Sequence, residues 1–278
     1  MNLAVGFFDG VHLGHRRILA DADAAFTFRN HPTTVFAPAR VPQLLMTAEM
    51  RVAAIGEALR SKDVARVRLL DFTPAFAAMT AADFADALRR DYPDLDTIFC
   101  GPDWTFGAGG LGTASFLRVR GFHVEVVPFL EVAGKPVSST RVRQALTSGD
   151  LADATACLGH PWCVAGAVIP GKGLGRTLGV PTLNVKVPSG LIQPPCGVYA
   201  VDTCWGRAVA NWGLAPTLGE KAWREPTLEV HLLEQVPDET PASLSVAFRS
   251  FLRPEQAFAS LVDLKRQIAA DCQSALKI

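Results

Sequence analysis

The chain has no excess of charge of either sign. Its 278 residues include 27 Lys and Arg against 27 Asp and Glu, so the formal net charge is zero. No block of like charges occurs, whereas a surface that binds nucleic acid or an anionic membrane concentrates positive charge. We therefore expect a small-molecule partner, with no nucleic acid and no membrane surface, and no obligate protein partner is evident.

Long hydrophobic runs are also missing. Hydrophobic residues make up 49% of the chain, yet Asp, Arg, Gly or Pro interrupts every apolar run well before the ~20 residues of a membrane-spanning helix. The amino terminus shows no basic region followed by an apolar stretch and a cleavage site, the pattern of a secretory signal. These features predict a cytoplasmic protein.

The six cysteines form no CxxC pair. In a reducing compartment such spacing favours buried thiols over disulfides or zinc ligands. The cysteines are Cys100, Cys157, Cys163, Cys196, Cys204 and Cys272.

The length predicts two domains, and the sequence texture changes near residues 159–162. Before that point short apolar runs alternate with helical patterns, which predicts a parallel sheet flanked by helices (α/β). The predicted strands are 2–8, 24–28, 65–70, 97–101 and 122–129, and the predicted helices are 47–61, 80–92 and 139–159.

After that point β-rich runs are separated by Gly and Pro, which predicts a small antiparallel β-barrel or sandwich. These runs cover 163–169, 196–204, 206–213 and 226–234. Residues 253–277 carry apolar side chains at helical spacing, so we expect a C-terminal helix with one face packed on the barrel.

The stretch VGFFDGVHLGH at 5–15 follows the first predicted strand. Gly6 and Gly10 permit a tight strand exit, and Gly14 permits close approach at a helix start. His12 and His15 are three apart and can converge on one point, where two N–H donors suit the negative charge of a phosphoryl-transfer transition state. Taken singly, each histidine also fits a capping or core role.

Two further segments of this half carry polar groups suited to a nucleotide. In SSTRVR at 138–143, Ser139 and Thr140 can cap a helix while Arg141 offers a planar cation to phosphate oxygens. Asp103 follows a predicted strand and is a candidate for Mg²⁺ or ribose, although the same residue suits a simple turn.

Four motifs of this half resemble those of the FAD synthetase module of bacterial bifunctional riboflavin kinase/FAD synthetases. Residues 6–15 resemble GxFDGxHxGH, 26–32 resemble TFxPHP, 101–107 resemble GxDFxFG, and 138–143 resemble SSTRIR. The resemblance implies a Rossmann-like nucleotidyltransferase domain at 1–158 that transfers AMP from ATP to FMN. It also implies that Phe8 and Asp9 belong to the nucleotide site.

The second half contains a glycine-rich segment with two basic residues, GKGLGRTLGVPTLNV at 171–185. Successive glycines can form an anion-binding concavity beside cations, and a plain hairpin loop is the alternative. The GxxxxGK[ST] pattern is absent, which excludes a Walker-type site. The candidate nucleotide-binding residues are Gly171, Lys172, Gly173, Gly175 and Arg176.

This half resembles riboflavin kinases at GRTLGVPTLN, GVYAV, NWGLAPT and LEVHLLE. The resemblance implies a kinase domain at 162–278 in which Thr182 and Asn184 hold Mg-ATP. A kinase acting on an alcohol needs a proton acceptor, and Glu229 matches the family's glutamate. The alternation in TLEVHLL equally fits an exposed strand glutamate at this position.

Some residues depart from the family pattern: Asn30 replaces a proline, the first helix is short, and the hairpin after EVHL is altered. The resemblance implies an enzyme that phosphorylates riboflavin to FMN and adenylylates FMN to FAD, using ATP with Mg²⁺. The alternatives are a divergent paralogue with one active module or a modified flavin substrate, and a flavin-binding or regulatory protein with both sites silent.

Overall fold

The chain folds as two compact units, Met1–Ser139 and Thr140–Ile278. The computed structural model describes residues 1–171, 180–214, 226–235 and 237–278. Lys172, Gly173, Gly175 and Arg176, which the sequence predicts to bind phosphate, lie outside the described residues.

The first unit contains a five-stranded parallel sheet in the order β3-β2-β1-β4-β5. This doubly wound arrangement confirms the Rossmann-like α/β prediction, and it places binding sites at the carboxyl ends of the strands. The strands are β1 (Leu3–Val5), β2 (Ala24–Phe28), β3 (Val67–Leu70), β4 (Thr97–Cys100) and β5 (His123–Val126). A small hairpin follows, formed by β6 (Glu131–Val132) and β7 (Lys135–Pro136).

Helices connect these strands, and threonine caps begin several of them. The side chains of Thr47, Thr80 and Thr113 each accept a bond from the backbone N–H three residues later, as favoured N-caps do. The helices are α1 (Leu13–Leu19), α2 (Thr33–Phe36), α3 (Ala48–Ala58), α4 (Pro74–Ala77), α5 (Ala81–Asp91) and α6 (Ala114–Val119). Short 3₁₀ turns occupy Pro38–Arg40, Val64–Arg66 and Ala108–Gly110.

Both faces of the parallel sheet are covered, which explains why the central strands β1, β2 and β4 are largely apolar on each side. Leu3, Val5 and Ile98 pack in a cluster that includes Phe84 and Leu88 of α5. On the other face, Ala4 and Ala25 pack in a cluster with residues of α1 and α3, including Leu19 and Ile55.

The predicted helix at 139–159 is two helices, α7 (Ser139–Ser148) and α8 (Leu151–Leu158). Gly149 separates them with a φ of 80°, a conformation that ends a helix and suits glycine. Because α8 contacts the barrel strands described next, α7 and α8 group with the second unit, whereas the sequence texture places them in the first domain. The bounds 1–158 and 162–278 stay a prediction.

The second unit is a closed antiparallel barrel in the order β10-β11-β12-β9-β8-β13, which confirms the predicted barrel. Its strands are β8 (Trp162–Ile169), β9 (Leu183–Lys186), β10 (Gly197–Thr203), β11 (Gly206–Leu214), β12 (Pro226–Leu232) and β13 (Ser243–Pro254). The sequence patterns predict neither β9 nor most of β13. The latter is the long strand that pairs with both β8 and β10 and thereby closes the barrel.

Large rings fill the barrel interior. Trp162, Tyr199, Trp212 and Phe248 are each at most 2% exposed and contact one another at ring distances of 5.1 to 6.2 Å. Alternation along each strand sends these side chains inward and polar neighbours outward. The polar side chains Asn184 of β9, Asn211 of β11 and Glu229 of β12 therefore face outward.

The C-terminal helix α9 (Leu261–Ala275) covers the outer face of β10 and β11, as the sequence predicts. Val198, Ala200 and Val209 form a buried cluster with Ala275. Consequently β10 is apolar on both faces, one toward the barrel interior and one toward α9.

The cysteines are all free thiols, and their burial differs. Cys100 and Cys157 are buried and Cys204 is exposed. Burial raises the pKa of the Cys100 thiol to about 11, so this group is protonated and inert at neutral pH. The expectation of buried thiols therefore holds for Cys100 and Cys157 and is wrong for Cys204.

An ion pair between Arg253 of β13 and Asp271 of α9 anchors the helix to the barrel. Asp271, 5% exposed, accepts bonds from Arg253 Nε at 3.0 Å, Arg253 Nη2 at 2.8 Å and Gln267 Nε2 at 2.9 Å. Asp271→Ala leaves the half-buried guanidinium without its carboxylate, so we expect a loss of about 3 kcal/mol in the free energy of unfolding. Urea unfolding followed by tryptophan fluorescence measures it.

The matched control is Asp202→Ala, which removes the acid of the exposed Arg249–Asp202 pair on the same barrel. Exposed pairs contribute at most about 1 kcal/mol. Equal losses in the two variants would contradict the anchoring role of Asp271.

Candidate active sites

The loop that leaves β1 has an unusual backbone. Phe8, Gly10 and Val11 have φ values of 56°, 83° and 38°. Glycine tolerates this left-handed region, but Phe8 and Val11 are strained there by about 1 kcal/mol or more each. Such a conformation persists only where surrounding contacts hold it.

Hydrogen bonds from three residues hold this loop. Asp9, 2% exposed, accepts from the Leu45 backbone N–H at 3.0 and 3.1 Å through its two carboxylate oxygens. The Ser139 hydroxyl donates to the Asp9 carbonyl at 2.8 Å, and the Thr27 hydroxyl donates to the Phe7 carbonyl at 2.9 Å. The Asp9 carboxylate therefore positions the loop, and its predicted contact with nucleotide stays a prediction.

The structure brings His12 and His15 together at the start of α1. Their rings stack with centroids 3.5 Å apart and planes at 15°. His12 is the N-cap, and its Nδ1 accepts from the His15 backbone N–H at 3.2 Å. Because Nδ1 is the acceptor, the neutral His12 ring carries its proton on Nε2, which is the nitrogen that can donate to a ligand.

The other predicted residues of this unit have varied surroundings. A side chain at Gly6 would meet the Phe8 ring at 2.9 Å, and the buried Phe8 ring packs edge-on against His15. Gly14 lies in the first turn of α1. Asp103 is exposed in a turn closed by the Trp104 N–H and the Gly101 carbonyl. The ligand contacts predicted for these residues stay predictions.

Arg141 lies in the first turn of α7, after Ser139 and Thr140. Its guanidinium is engaged by Asp153 of α8, with Nε 3.0 Å from Oδ2. That pairing fixes the side chain and raises the pKa of Arg141, so the group stays a cation. The predicted phosphate role of Ser139, Thr140 and Arg141 stays a prediction.

Sequence patterns missed a cluster at the carboxyl ends of β1 and β2. The Phe7 ring contacts the His31 ring at 4.7 Å and lies 4.2 Å from the Arg51 guanidinium carbon. His31 belongs to the segment at 26–32 that sequence motifs singled out, whereas Arg51 lies in a predicted helix with no motif.

An aromatic cluster lies at the same edge of the sheet. The Phe28 ring is 4.9 Å from that of Phe72 and 5.0 Å from that of Phe76, and Trp104 stacks on Phe106 at 4.8 Å. These residues end or follow β2, β3 and β4, and Trp104 is only half-buried. They form an apolar surface suited to a flat aromatic ligand.

In the barrel, strand register places three polar residues in one row. Glu229 of β12 is directly opposite Asn184 of β9 on one side and Asn211 of β11 on the other. Their neighbours Val185, Leu228 and Trp212 are buried inside the barrel, so the row faces outward. Glu229 is exposed, as a group that meets a substrate must be.

Contacts around this row hold the Pro181–Asn184 segment against β12. His231 shares the outward face with Glu229, and its Nδ1 donates to the Pro181 carbonyl at 2.8 Å. A side chain at Gly171 would overlap the Asn184 amide, so the backbone at Gly171 passes directly over Asn184. Thr182 lies two residues before Asn184. The structure therefore brings Asn184 and Glu229 together, with Gly171 beside them.

The sequence missed a second carboxylate near this row. Asn211 Nδ2 donates to Glu255 Oε1 at 3.2 Å. Among the residues that the structure describes, no group of three or more His, Cys, Asp or Glu is arranged to hold a metal by itself. The amide oxygens at this row suit a hard cation that arrives with phosphate ligands.

Two family models match this chain. The FAD synthetase model matches residues 1–141, and the riboflavin kinase model matches residues 158–278. The first match contains the His12–His15 pair, and the second contains the row of Asn184, Glu229 and Asn211. The chain belongs to the bifunctional riboflavin kinase/FMN adenylyltransferase family.

Curated relatives of that name align over nearly the whole chain. The protein of Pseudomonas fluorescens is 36% identical over 98% of this chain and 90% of its own length. The Escherichia coli K12 protein is 38% identical over 97% of this chain and 90% of its own length. The Bacillus subtilis 168 protein is 32% identical over 99% of this chain and 91% of its own length. The family assignment thus covers both units.

A solved structure has the same fold. It is described as a macrolide-efflux protein from Streptococcus pneumoniae, with a TM-score of 0.85 and 28% identity over 100% of this chain and 94% of that one. Within the described part of this chain, no helix has the length and apolarity that crossing a membrane requires.

Proposed function

We propose that this member of the riboflavin kinase/FMN adenylyltransferase family makes FMN from riboflavin and FAD from FMN, with Mg-ATP as co-substrate of both steps. The observation that carries the proposal is that one chain holds both clusters, the His12–His15 pair in one matched region and the Asn184–Glu229 row in the other. The product of the barrel unit is then the substrate of the sheet unit.

In the adenylyl-transfer step, a phosphate oxygen of FMN attacks the α-phosphorus of ATP and pyrophosphate leaves. The N–H at Nε2 of His12 donates to phosphate oxygens, where negative charge grows in the transition state. His15 stacks on His12 and fixes the orientation of that donor. Gly6, Gly10 and Gly14 let the backbone approach the nucleotide, and Arg141 supplies a cation to phosphate.

In the kinase step, Glu229 accepts the proton of riboflavin's primary hydroxyl as the hydroxyl oxygen attacks the γ-phosphorus of ATP and ADP leaves. Its exposed position on the barrel's outer face gives a substrate direct access. Thr182 and Asn184 would hold Mg-ATP beside it through their side-chain oxygens. The register that sets Asn184 opposite Glu229 supports this division of roles.

The aromatic cluster of the sheet unit supports a flavin substrate there. An isoalloxazine ring is flat and largely apolar, so it gains from contact with aromatic faces. Trp104 is half-buried and backed by Phe106, which leaves part of its surface for a ligand. We propose Trp104 as a flavin contact of the adenylyl-transfer site.

The direct test is to incubate the purified chain with riboflavin, ATP and Mg²⁺ and to resolve the flavins by chromatography. We expect FMN to appear first and FAD to follow. One product alone would support a paralogue with a single active unit, and binding without turnover would support a regulatory protein. Omission of Mg²⁺ should abolish both products.

The His12→Asn variant separates catalysis from helix capping. Asparagine is a good N-cap, so α1 keeps its first-turn hydrogen bond, while the imidazole donor is lost. We expect FAD formation to fall by about 100-fold or more, with FMN formation unchanged. The control is His123→Asn at an exposed position of β5, which should leave both rates at the wild-type level. Equal FAD formation in the two variants would contradict the role of His12.

The Glu229→Gln variant removes the proton acceptor and keeps the shape. We expect FMN formation from riboflavin to fall by about 100-fold or more, while FAD formation from supplied FMN continues. Glu234→Gln is the matched control, because Glu234 is a nearby exposed glutamate paired with Arg207. A loss of both products in the Glu229 variant would argue against separate sites.

A further inference from the structure

Arg51 occupies a position on α3 that should be apolar. It lies four residues before Ile55 and eight before Leu59, and those two side chains are 0% and 1% exposed. Arg51 itself is 0% exposed. A complete guanidinium is thus buried in the core row of a helix, where a Leu or Met would ordinarily pack.

This burial is energetically unfavourable. Burial lowers the pKa of Arg51, because the core disfavours its charged form. Nε and Nη1 are buried with no hydrogen-bond partner, and each such donor costs on the order of 1–3 kcal/mol. Replacement of a buried charge by an apolar side chain of similar size is often neutral or stabilising. Stability alone therefore does not account for an arginine here.

The contacts of Arg51 connect the segment that follows β1 with the segment that follows β2. Nη2 donates to the carbonyls of Phe28 and Arg29, at 2.5 and 3.1 Å, where β2 ends. The guanidinium carbon lies 4.2 Å from the centre of the Phe7 ring, where β1 ends. A planar cation can satisfy both partners at once, because its edge donates to the carbonyls while its face lies on the ring.

The loop on the Phe7 side is the strained one that carries the histidines. Phe8 and Val11 have positive φ, and His12 follows immediately. The segment before Arg51 holds the same loop a second time, through the bond from the Leu45 N–H to Asp9. Attraction to the Asp9 carboxylate offsets part of the burial effect that lowers the pKa of Arg51.

We propose that Arg51 is a positioning residue for adenylyl transfer, because it holds the strained loop of residues 7–11 against the end of β2 and thereby fixes the His12–His15 pair. This inference rests on the proposed function. Arg51 is buried beneath the loop, so it acts through Phe7 and the backbone and not on the substrate itself. A small misplacement of catalytic groups can cost on the order of 100-fold in rate.

The test is the Arg51→Met variant, which keeps length and packing while it removes the charge and the donors. We expect kcat for FAD formation to fall by about 10- to 100-fold, with KM for FMN and ATP within about threefold of wild type, as loss of transition-state positioning requires. Thermal unfolding should stay at or above the wild-type midpoint. FMN formation by the barrel unit is an internal control and should not change.

Two further variants keep the test decisive. Arg51→Lys retains a charge and a donor and should recover part of kcat, and it carries the test if the Met variant does not fold. Arg89→Met is the matched control, because Arg89 also lies over a ring, that of Phe122 at 4.7 Å, and donates to a carbonyl. It is exposed on α5, so both activities should stay at the wild-type level.

Three results would overturn the inference. They are a wild-type kcat in Arg51→Met, a rise in KM at constant kcat, and a parallel loss of both activities with a lowered unfolding midpoint. A wild-type chain that forms no FAD would overturn the proposed function as well, so the two failures are distinguishable.

Discussion

The sheet unit depends on a short loop held in an unfavourable backbone conformation. Phe8 and Val11 adopt positive φ, and the loop remains there because Leu45, Thr27 and Ser139 each bond to it from a different element. These contacts restrict the loop to one conformation, and a loop with few low-energy alternatives fixes the position of the next residue. That next residue is His12, whose ring caps α1 and stacks on His15.

In the barrel unit, strand pairing and not a strained loop positions the side chains of the candidate site. The proposed kinase site depends on strand register, because the pairing of β9, β12 and β11 sets Asn184, Glu229 and Asn211 side by side. A closed barrel has no free edge along which a strand can slip, and the packed rings of Trp162, Trp212 and Phe248 fix the inward face. Outward positions are therefore fixed as well.

Local patterns predicted most of the fold and the convergence of His12 and His15. The parallel strands, the barrel and α9 follow from periodicity, and the His12–His15 pair and Glu229 follow from motifs. The break at Gly149 was missed, because a helical pattern on both sides conceals one glycine. The strand β13 was missed because its pairing partners, β8 and β10, are distant in sequence. Arg51, Glu255 and the Phe7–His31 contact depend on tertiary proximity, which one sequence does not display.

The central claim is that the loop presents the Nε2–H of His12 to the nucleotide, and nitrogen-15 NMR of the histidine side chains tests it most directly. The account predicts that His12 carries its proton on Nε2 with Nδ1 unprotonated. It also predicts that addition of Mg²⁺ with a non-hydrolysable ATP analogue shifts the signals of His12 and His15 and leaves that of His123 in place. A proton on Nδ1 of neutral His12, or signals of His12 and His15 that the nucleotide leaves unchanged, would contradict it.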